Sequence, residues 1–191
     1  MTVAQFIADL DELVELVRKR FAKRQVALLG HSWGTALGVL YAQRFPEKVA
    51  VYVGVAQVGD SAASEQASYA KALSEAERQG NAAVLRKLRA IGPPPHTADA
   101  LFVERTCAER LRGGLAPKAL WKTTRMLFGA PESSLLEIRA TFRAFRFSIE
   151  CMWPEVSRIN LVQIVPALEV PVIFMLGRGD PWIPVEMSVA Y

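Results

Sequence analysis

The apolar positions of this chain change period several times, and each change marks an element. From Thr2 to Lys23 they recur at helical spacing, with Phe6, Leu10, Leu13, Val14 and Val17 on one face and charge opposite, which predicts an amphipathic helix. Thr2 and Gln5 stand in capping-box spacing at its start. The next run, Val26 to Leu29, is continuously apolar, the pattern of a short parallel strand covered on both faces. Helical spacing returns between Thr35 and Phe45 through Ala36, Leu37, Leu40 and Tyr41. Gly38 permits close approach of that helix to a sheet, and Pro46 stops it. Val49 to Val55 predicts a second strand.

From Ser61 to Asn160 the strand-like runs disappear, and helical patterns follow one another with breaks at Gly80, Gly92-Pro93-Pro94-Pro95, Gly113-Gly114 and Gly129-Ala130-Pro131. A short apolar passage, Leu161 to Leu168, leads to Val170–Leu176, which predicts a third buried strand with Pro171 tolerated at its start. The pattern therefore predicts an α/β fold with a parallel core of about three strands, formed by 1–60 and 161–191, and a helical insertion at 61–160. No internal repeat and no low-complexity tract interrupts it.

Between the first strand and the second helix lies Gly30-His31-Ser32-Trp33-Gly34. Gly-x-Ser-x-Gly in a strand-to-helix turn is the nucleophile-elbow motif, in which a strained turn lifts a serine hydroxyl above the sheet edge. Small residues flank the serine because the tight backbone leaves little room for Cβ atoms, and Gly30 and Gly34 supply them. The motif points to Ser32 as a nucleophile and to the backbone N–H of Trp33, at a helix N-terminus, as an oxyanion donor. Asp180, in the loop Gly177-Arg178-Gly179-Asp180 after the third strand, also lies beyond a strand's carboxyl end, where functional groups gather in doubly wound sheets. An acid there orients a histidine and stabilises its imidazolium; the other use of Asp before Pro181 is to cap a turn or helix.

Two histidines are present. His31 adjoins the nucleophile and is expected to point away from its hydroxyl, in a structural role. His96, in a proline-bounded loop, is expected in solvent, with a base role from the insertion as the alternative. The serine thus has no evident base, and an unactivated hydroxyl is a weak nucleophile at neutral pH. We expect this polypeptide by itself to be inactive or nearly so.

Composition narrows the remaining classes. Hydrophobic residues make up 51% of 191 positions, which argues for a folded domain. No apolar stretch approaches a membrane span and the N-terminus has no signal-peptide pattern, so the expected location is cytoplasmic, with no membrane partner. Cys107 and Cys151 lack metal-ligand or redox spacing, and no cofactor or metal motif is visible. The charge is uneven: 61–160 carries 15 Lys and Arg against 10 Asp and Glu, the remainder 8 against 9. Arg139, Arg143 and Arg146 share one predicted helix face, which reads as solvated or as attractive to acidic groups. No nucleic-acid module is present. Phe142, Phe145, Phe147 and Trp153 are candidates both for a pocket lining and for internal packing.

Three stretches together carry a family resemblance: Leu28–Thr35, Tyr41–Val49 with its Phe45-Pro46-Glu47-Lys48, and Gly177-Arg178-Gly179-Asp180-Pro181-Trp182-Ile183-Pro184. They resemble an α/β-hydrolase of the proline iminopeptidase-like group. The resemblance implies a Ser-His-Asp triad and an acyl-enzyme, with Ser32 as nucleophile, Asp180 as acid and 61–160 as a helical cap. It implies a small-molecule ester or short peptide as substrate, with Glu150 and Glu155 as cap carboxylates for a free amino group beside Trp153. A serine at the elbow disfavours the dehalogenases and epoxide hydrolases of this fold. Strands that would precede Thr2, with the other oxyanion loop, and a last strand bearing the catalytic histidine have no counterpart here. The chain is therefore expected to be a fragment, and the alternatives are a non-catalytic ligand-binding module of the same fold or one half of a split enzyme completed by another chain.

Overall fold

A computed structural model describes residues 1–111 and 134–191. The predicted breaks at Gly113-Gly114 and Gly129-Ala130-Pro131, and the side chain of Phe142, lie outside the described residues. In chain order the elements are α1 (Val3–Phe21), β1 (Val26–His31), α2 (Gly34–Arg44), a 3-10 turn (Pro46–Lys48), β2 (Val49–Val55), α3 (Ser61–Arg78), α4 (Ala82–Ile91), α5 (Ala98–Leu111), α6 (Leu135–Val156), α7 (Leu161–Ile164), β3 (Val172–Met175) and α8 (Val185–Ala190). They divide between two compact units, Met1–Ser68 with Pro154–Tyr191 and Tyr69–Trp153.

The first unit is built on a three-stranded parallel sheet in the order β1-β2-β3, the parallel core the pattern predicts and the partial α/β-hydrolase architecture the resemblance implies. β1 and β2 are joined through α2, which lies against both strands. Gly38 of α2 meets the Tyr52 ring, where any Cβ would collide with its Cε2 edge, so the glycine sets how near the helix approaches. Thr2 caps α1 by accepting the Gln5 N–H at 3.2 Å, although the Gln5 side chain turns to Asp9 rather than completing the box.

Two expectations about burial fail. Along β1, Gly30 is buried whereas Ala27, Leu29 and His31 are exposed. In β3 all but Phe174 are exposed as well. Paired positions show the cause: Leu29, Val53 and Ile173 share one row of the sheet, and His31, Val55 and Met175 the next. α2 covers the opposite face, and among the described residues no layer covers this one, where Leu29 is 65%, Ile173 54% and Met175 57% exposed. An apolar run shows that a strand can be covered on both sides, not that a second layer is there. The stripe of α1 also differs: Val3, Ile7 and Val14 are buried, while Leu13 is exposed.

The chain leaves the sheet at Asp60 and returns at Asn160, and these points adjoin. Asp60 and Asn160 form an antiparallel bridge, with the Asn160 amide donating to Asp60 at 2.6 Å. Ser61 N–H donates to the Ile159 carbonyl at 2.9 Å and Leu161 N–H to that of Gly59 at 2.7 Å. Asp60 also caps α3, accepting the Ala63 N–H at 3.0 Å.

The second unit is helical. Tyr69, Ala72 and Ala76 of α3, Val84 and Leu88 of α4, and Cys107 and Leu111 of α5 form its core. Gly80, at φ +62°, makes the left-handed turn between α3 and α4 that glycine adopts without steric cost.

Candidate active site

Ser32 occupies the turn between β1 and α2 at φ +54°. A non-glycine residue in this left-handed region costs about 1–2 kcal/mol, and such strain persists only where surrounding bonds over-determine it. Ser32 N–H donates to the Val55 carbonyl at 2.9 Å, extending the sheet ladder through the turn. Its carbonyl accepts the Thr35 N–H at 2.9 Å and the Thr35 hydroxyl at 2.6 Å. The serine hydroxyl forms no hydrogen bond among the described residues, nor does the Trp33 N–H. That N–H is one of the donors a helix start leaves unpaired.

Beneath the turn is a polar bed that the sequence did not announce. The Thr35 hydroxyl accepts the Val58 N–H at 3.0 Å, so one side chain ties the start of α2 to the segment after β2. The Tyr52 hydroxyl lies 3.0 Å from the Thr35 carbonyl and 2.8 Å from Gln57 Oε1, and burial pushes its phenol pKa well up, so it remains a donor. Gln57 Nε2 donates to the Val58 carbonyl at 2.7 Å, and the Ser188 hydroxyl of α8 to the Gln57 carbonyl at 2.6 Å. Thr35, Tyr52 and Gln57 are all fully buried, and paired groups in such a place rigidify where unpaired ones would be costly. Nothing in the local pattern could have revealed them, because the partners come from three elements.

The two motif glycines differ. A Cβ on Gly30 would stand 2.7 Å from the Gly34 carbonyl oxygen and 2.8 Å from the Thr35 Cα, whereas one on Gly34 meets nothing within 4 Å. Only Gly30 is needed for space; the expectation that both are is corrected for Gly34.

Asp180 follows β3, and Ser32 follows β1, at the same end of the sheet. Two strand spacings, roughly 10 Å, separate the strands that carry them, a gap that a side chain between them would have to bridge. Asp180 Oδ1 accepts the N–H groups of Trp182 at 2.9 Å and Ile183 at 3.0 Å, the turn-capping use of aspartate. Its Oδ2 has no hydrogen bond among the described residues.

The two histidines lie in different units. His31 is the last residue of β1, exposed on the bare face. His96 is buried in the helical unit rather than in solvent, which overturns that expectation. Its Nε2 lies 3.0 Å from the Gly92 carbonyl, to which it donates. Its Nδ1 faces the buried Glu104 carboxylate at 3.5 Å, and its ring packs edge-on to Tyr69. The proline loop looks exposed in sequence because it is polar and lacks period; the α3 and α5 partners that bury it are distant in the chain.

The three further candidates each bond within their own unit. Glu150 pairs with Arg146 at 2.7 Å, and Arg146 also bonds Asp99 at 2.7 Å. Trp153 donates its indole N–H to the His96 carbonyl at 2.9 Å. Glu155 accepts the Val3 N–H at 3.0 Å at the start of α1, where a carboxylate is favoured by the helix dipole. Among the described residues no group of side chains forms a metal site, and no helix is long and apolar enough to cross a membrane.

A family model described as alpha/beta hydrolase fold matches residues 4–191. The chain is 31% identical over 196 aligned positions to a probable aminopeptidase, YbaC, of Bacillus subtilis (strain 168), an alignment covering 100% of this chain and 61% of that relative. The chain thus spans about three fifths of the length of the curated relative it matches. No solved structure matches.

Proposed function

The chain belongs to the α/β-hydrolase family, and on that premise we propose that it carries the nucleophile and acid of a serine hydrolase whose base comes from outside these 191 residues. Ser32 attacks the carbonyl of an ester or N-terminal amide, the Trp33 N–H stabilises the developing oxyanion, and Asp180 orients the histidine that takes the serine proton. The observation that carries this reading is the left-handed Ser32, held at a strand's carboxyl end by the Thr35–Val58 clasp with its hydroxyl uncommitted among the described residues. A peptide with a free amino terminus is favoured by similarity to a probable aminopeptidase.

The edge of β1, which has no neighbour on its outer side among the described strands, suits a sheet continued by further strands, and the bare apolar face suits a covering layer. We therefore favour completion by another segment over a non-catalytic binding module. Labelling by a fluorophosphonate probe, with and without added imidazole as a diffusible base, tests the chemistry. The 191-residue chain alone should label at background, and imidazole should produce labelling that Ser32→Ala abolishes. Labelling unaffected by Ser32→Ala, or none at any imidazole concentration in a folded chain, refutes the nucleophile assignment.

A further inference from the structure

β2 ends at Val55, and Ala56 after it takes φ +51°, the same left-handed region as Ser32, which a residue with a Cβ seldom adopts. His31 pairs with Val55, so the two strained residues follow neighbouring strand ends. Gln57 comes next and is fully buried despite its polar side chain. Its amide holds the elbow from one side: Oε1 lies 2.8 Å from the Tyr52 hydroxyl, and Nε2 donates to the Val58 carbonyl at 2.7 Å. Val58 N–H in turn donates to the Thr35 hydroxyl, which holds the Ser32 carbonyl. Gly54 leaves room for this amide, since a Cβ there would collide with Gln57 Oε1. The same short segment fastens the loop that carries Asp180. Ala56 N–H donates to the carbonyl of Met175, the last residue of β3, at 3.0 Å, and the Ser188 hydroxyl of α8 donates to the Gln57 carbonyl at 2.6 Å. Between these two points the Ser68 hydroxyl of α3 donates to the Pro181 carbonyl at 2.8 Å.

We infer that Gln57 is a positioning residue that sets the Ser32 turn in register with the Asp180 loop, its side-chain amide holding the first and its carbonyl, through Ser188, the second. Its place in catalysis rests on the serine hydrolase reading; the mechanical coupling does not. The sheet ladder fixes β1 against β3 only as far as the strand ends, and Ser32 and Asp180 both lie beyond them. Misplacing a reacting group by about 1 Å can cost on the order of a hundredfold in rate, so a triad needs a tie between these loops that the ladder does not supply. Gln57 supplies it because it is buried, where a paired amide rigidifies its partners and a broken pair is costly. The strained backbone of Ala56 has the same explanation: it turns the chain out of the strand so that Gln57 meets both partners.

Amide hydrogen exchange of the isotope-labelled full chain, resolved by NMR, tests the coupling. Ser188→Ala cuts only the tie to α8, and Gln57→Met only the side-chain ties. Each should speed exchange roughly tenfold at Ser32, Val58 and Ile183 together, while Phe45 at the far end of α2 and Leu85 in α4 keep their parent rates. A loss of overall stability would instead speed all of them. Imidazole-assisted fluorophosphonate labelling of Ser32 should slow roughly tenfold in both variants. If Gln57→Met does not fold, Ser188→Ala decides alone. Uniform acceleration, labelling at the parent rate in both variants, or a Ser188→Ala chain that speeds Ile183 and leaves Ser32 and Val58 unchanged overturns the inference. Coupled exchange in a parent chain that imidazole does not make label would refute the serine hydrolase reading and leave the register standing.

Discussion

Replacing Gly30 by alanine asks whether the first glycine of the elbow is there for space. The new Cβ would stand 2.7 Å from one backbone atom of α2 and 2.8 Å from another, and neither can rotate aside as a side chain would. Relief requires α2 to move off β1, against the Thr35 bonds to Ser32 and Val58. Overpacking of this kind costs about 1–3 kcal/mol, and weakening two hydrogen bonds adds about 1 kcal/mol each. The lower chain entropy of alanine in the unfolded state returns about 0.5–1 kcal/mol. The net expectation is a loss of about 2–4 kcal/mol. At Gly34, the first residue of α2, the same substitution meets open space, so only the entropy gain remains and stability should hold or rise by about 0.5–1 kcal/mol. Urea unfolding followed by circular dichroism measures both. With a slope of about 1–3 kcal/mol per molar urea, Gly30→Ala should lower the midpoint by about 1 M or more and Gly34→Ala should not lower it. A Gly30→Ala protein within about 0.5 kcal/mol of the parent, or a Gly34→Ala protein equally damaged, would show that the elbow backbone yields more freely than this geometry allows.

Gly38→Ala should cost about 1–3 kcal/mol in the same assay, because the Tyr52 ring it strikes is held by its hydroxyl; Gly38→Ala combined with Tyr52→Leu should restore part of the loss, and a strictly additive pair would count against the clash. Acid should erode stability through the cluster in which Lys48 bonds Asp11 at 2.6 Å and Glu15 at 3.0 Å. The hydrogen bonds from Lys48 hold both carboxyls below their ordinary values, so their contribution is present above the unfolded carboxylate range near pH 4 and lost as pH falls through the lowered values. Bonding to Asp11 raises Lys48, whose contribution persists below the unfolded lysine value and disappears as pH rises past the raised one. Lys48→Met should flatten both limbs of the thermal-midpoint profile, and unchanged limbs would assign the pH dependence elsewhere. His96→Ala removes the bond to Gly92, the contact with Tyr69 and the group facing Glu104; it should lower stability by about 2–4 kcal/mol, whereas a solvated loop histidine would cost almost nothing.

Much of the architecture was legible because it is local. The apolar run of β1, the elbow glycines, the helical period of α2 and the stop at Pro46 are properties of adjacent residues, and together they located Ser32 within one turn. Asp180 was placed at a strand end by the same means. Its dual reading persists in space, since one oxygen caps a turn while the other is uncommitted among the described residues. Glu155 shows what local reading leaves out: it accepts the N–H of Val3 at the start of α1, 152 positions away.

The sequence by itself determined the order of the three strands, the helices before and between the first two, the helical character of the insertion and the position of the serine. Backbone propensity, apolar period and glycine punctuation act over a few residues and therefore survive reading without coordinates. Tertiary structure alone decided which face of β1 is covered, that Gly30 and not Gly34 is sterically required, that His96 is buried against Glu104, and that Thr35 clasps the strained turn from below. Each of these depends on which distant surface arrives at a given side chain, and neighbouring residues carry no record of that.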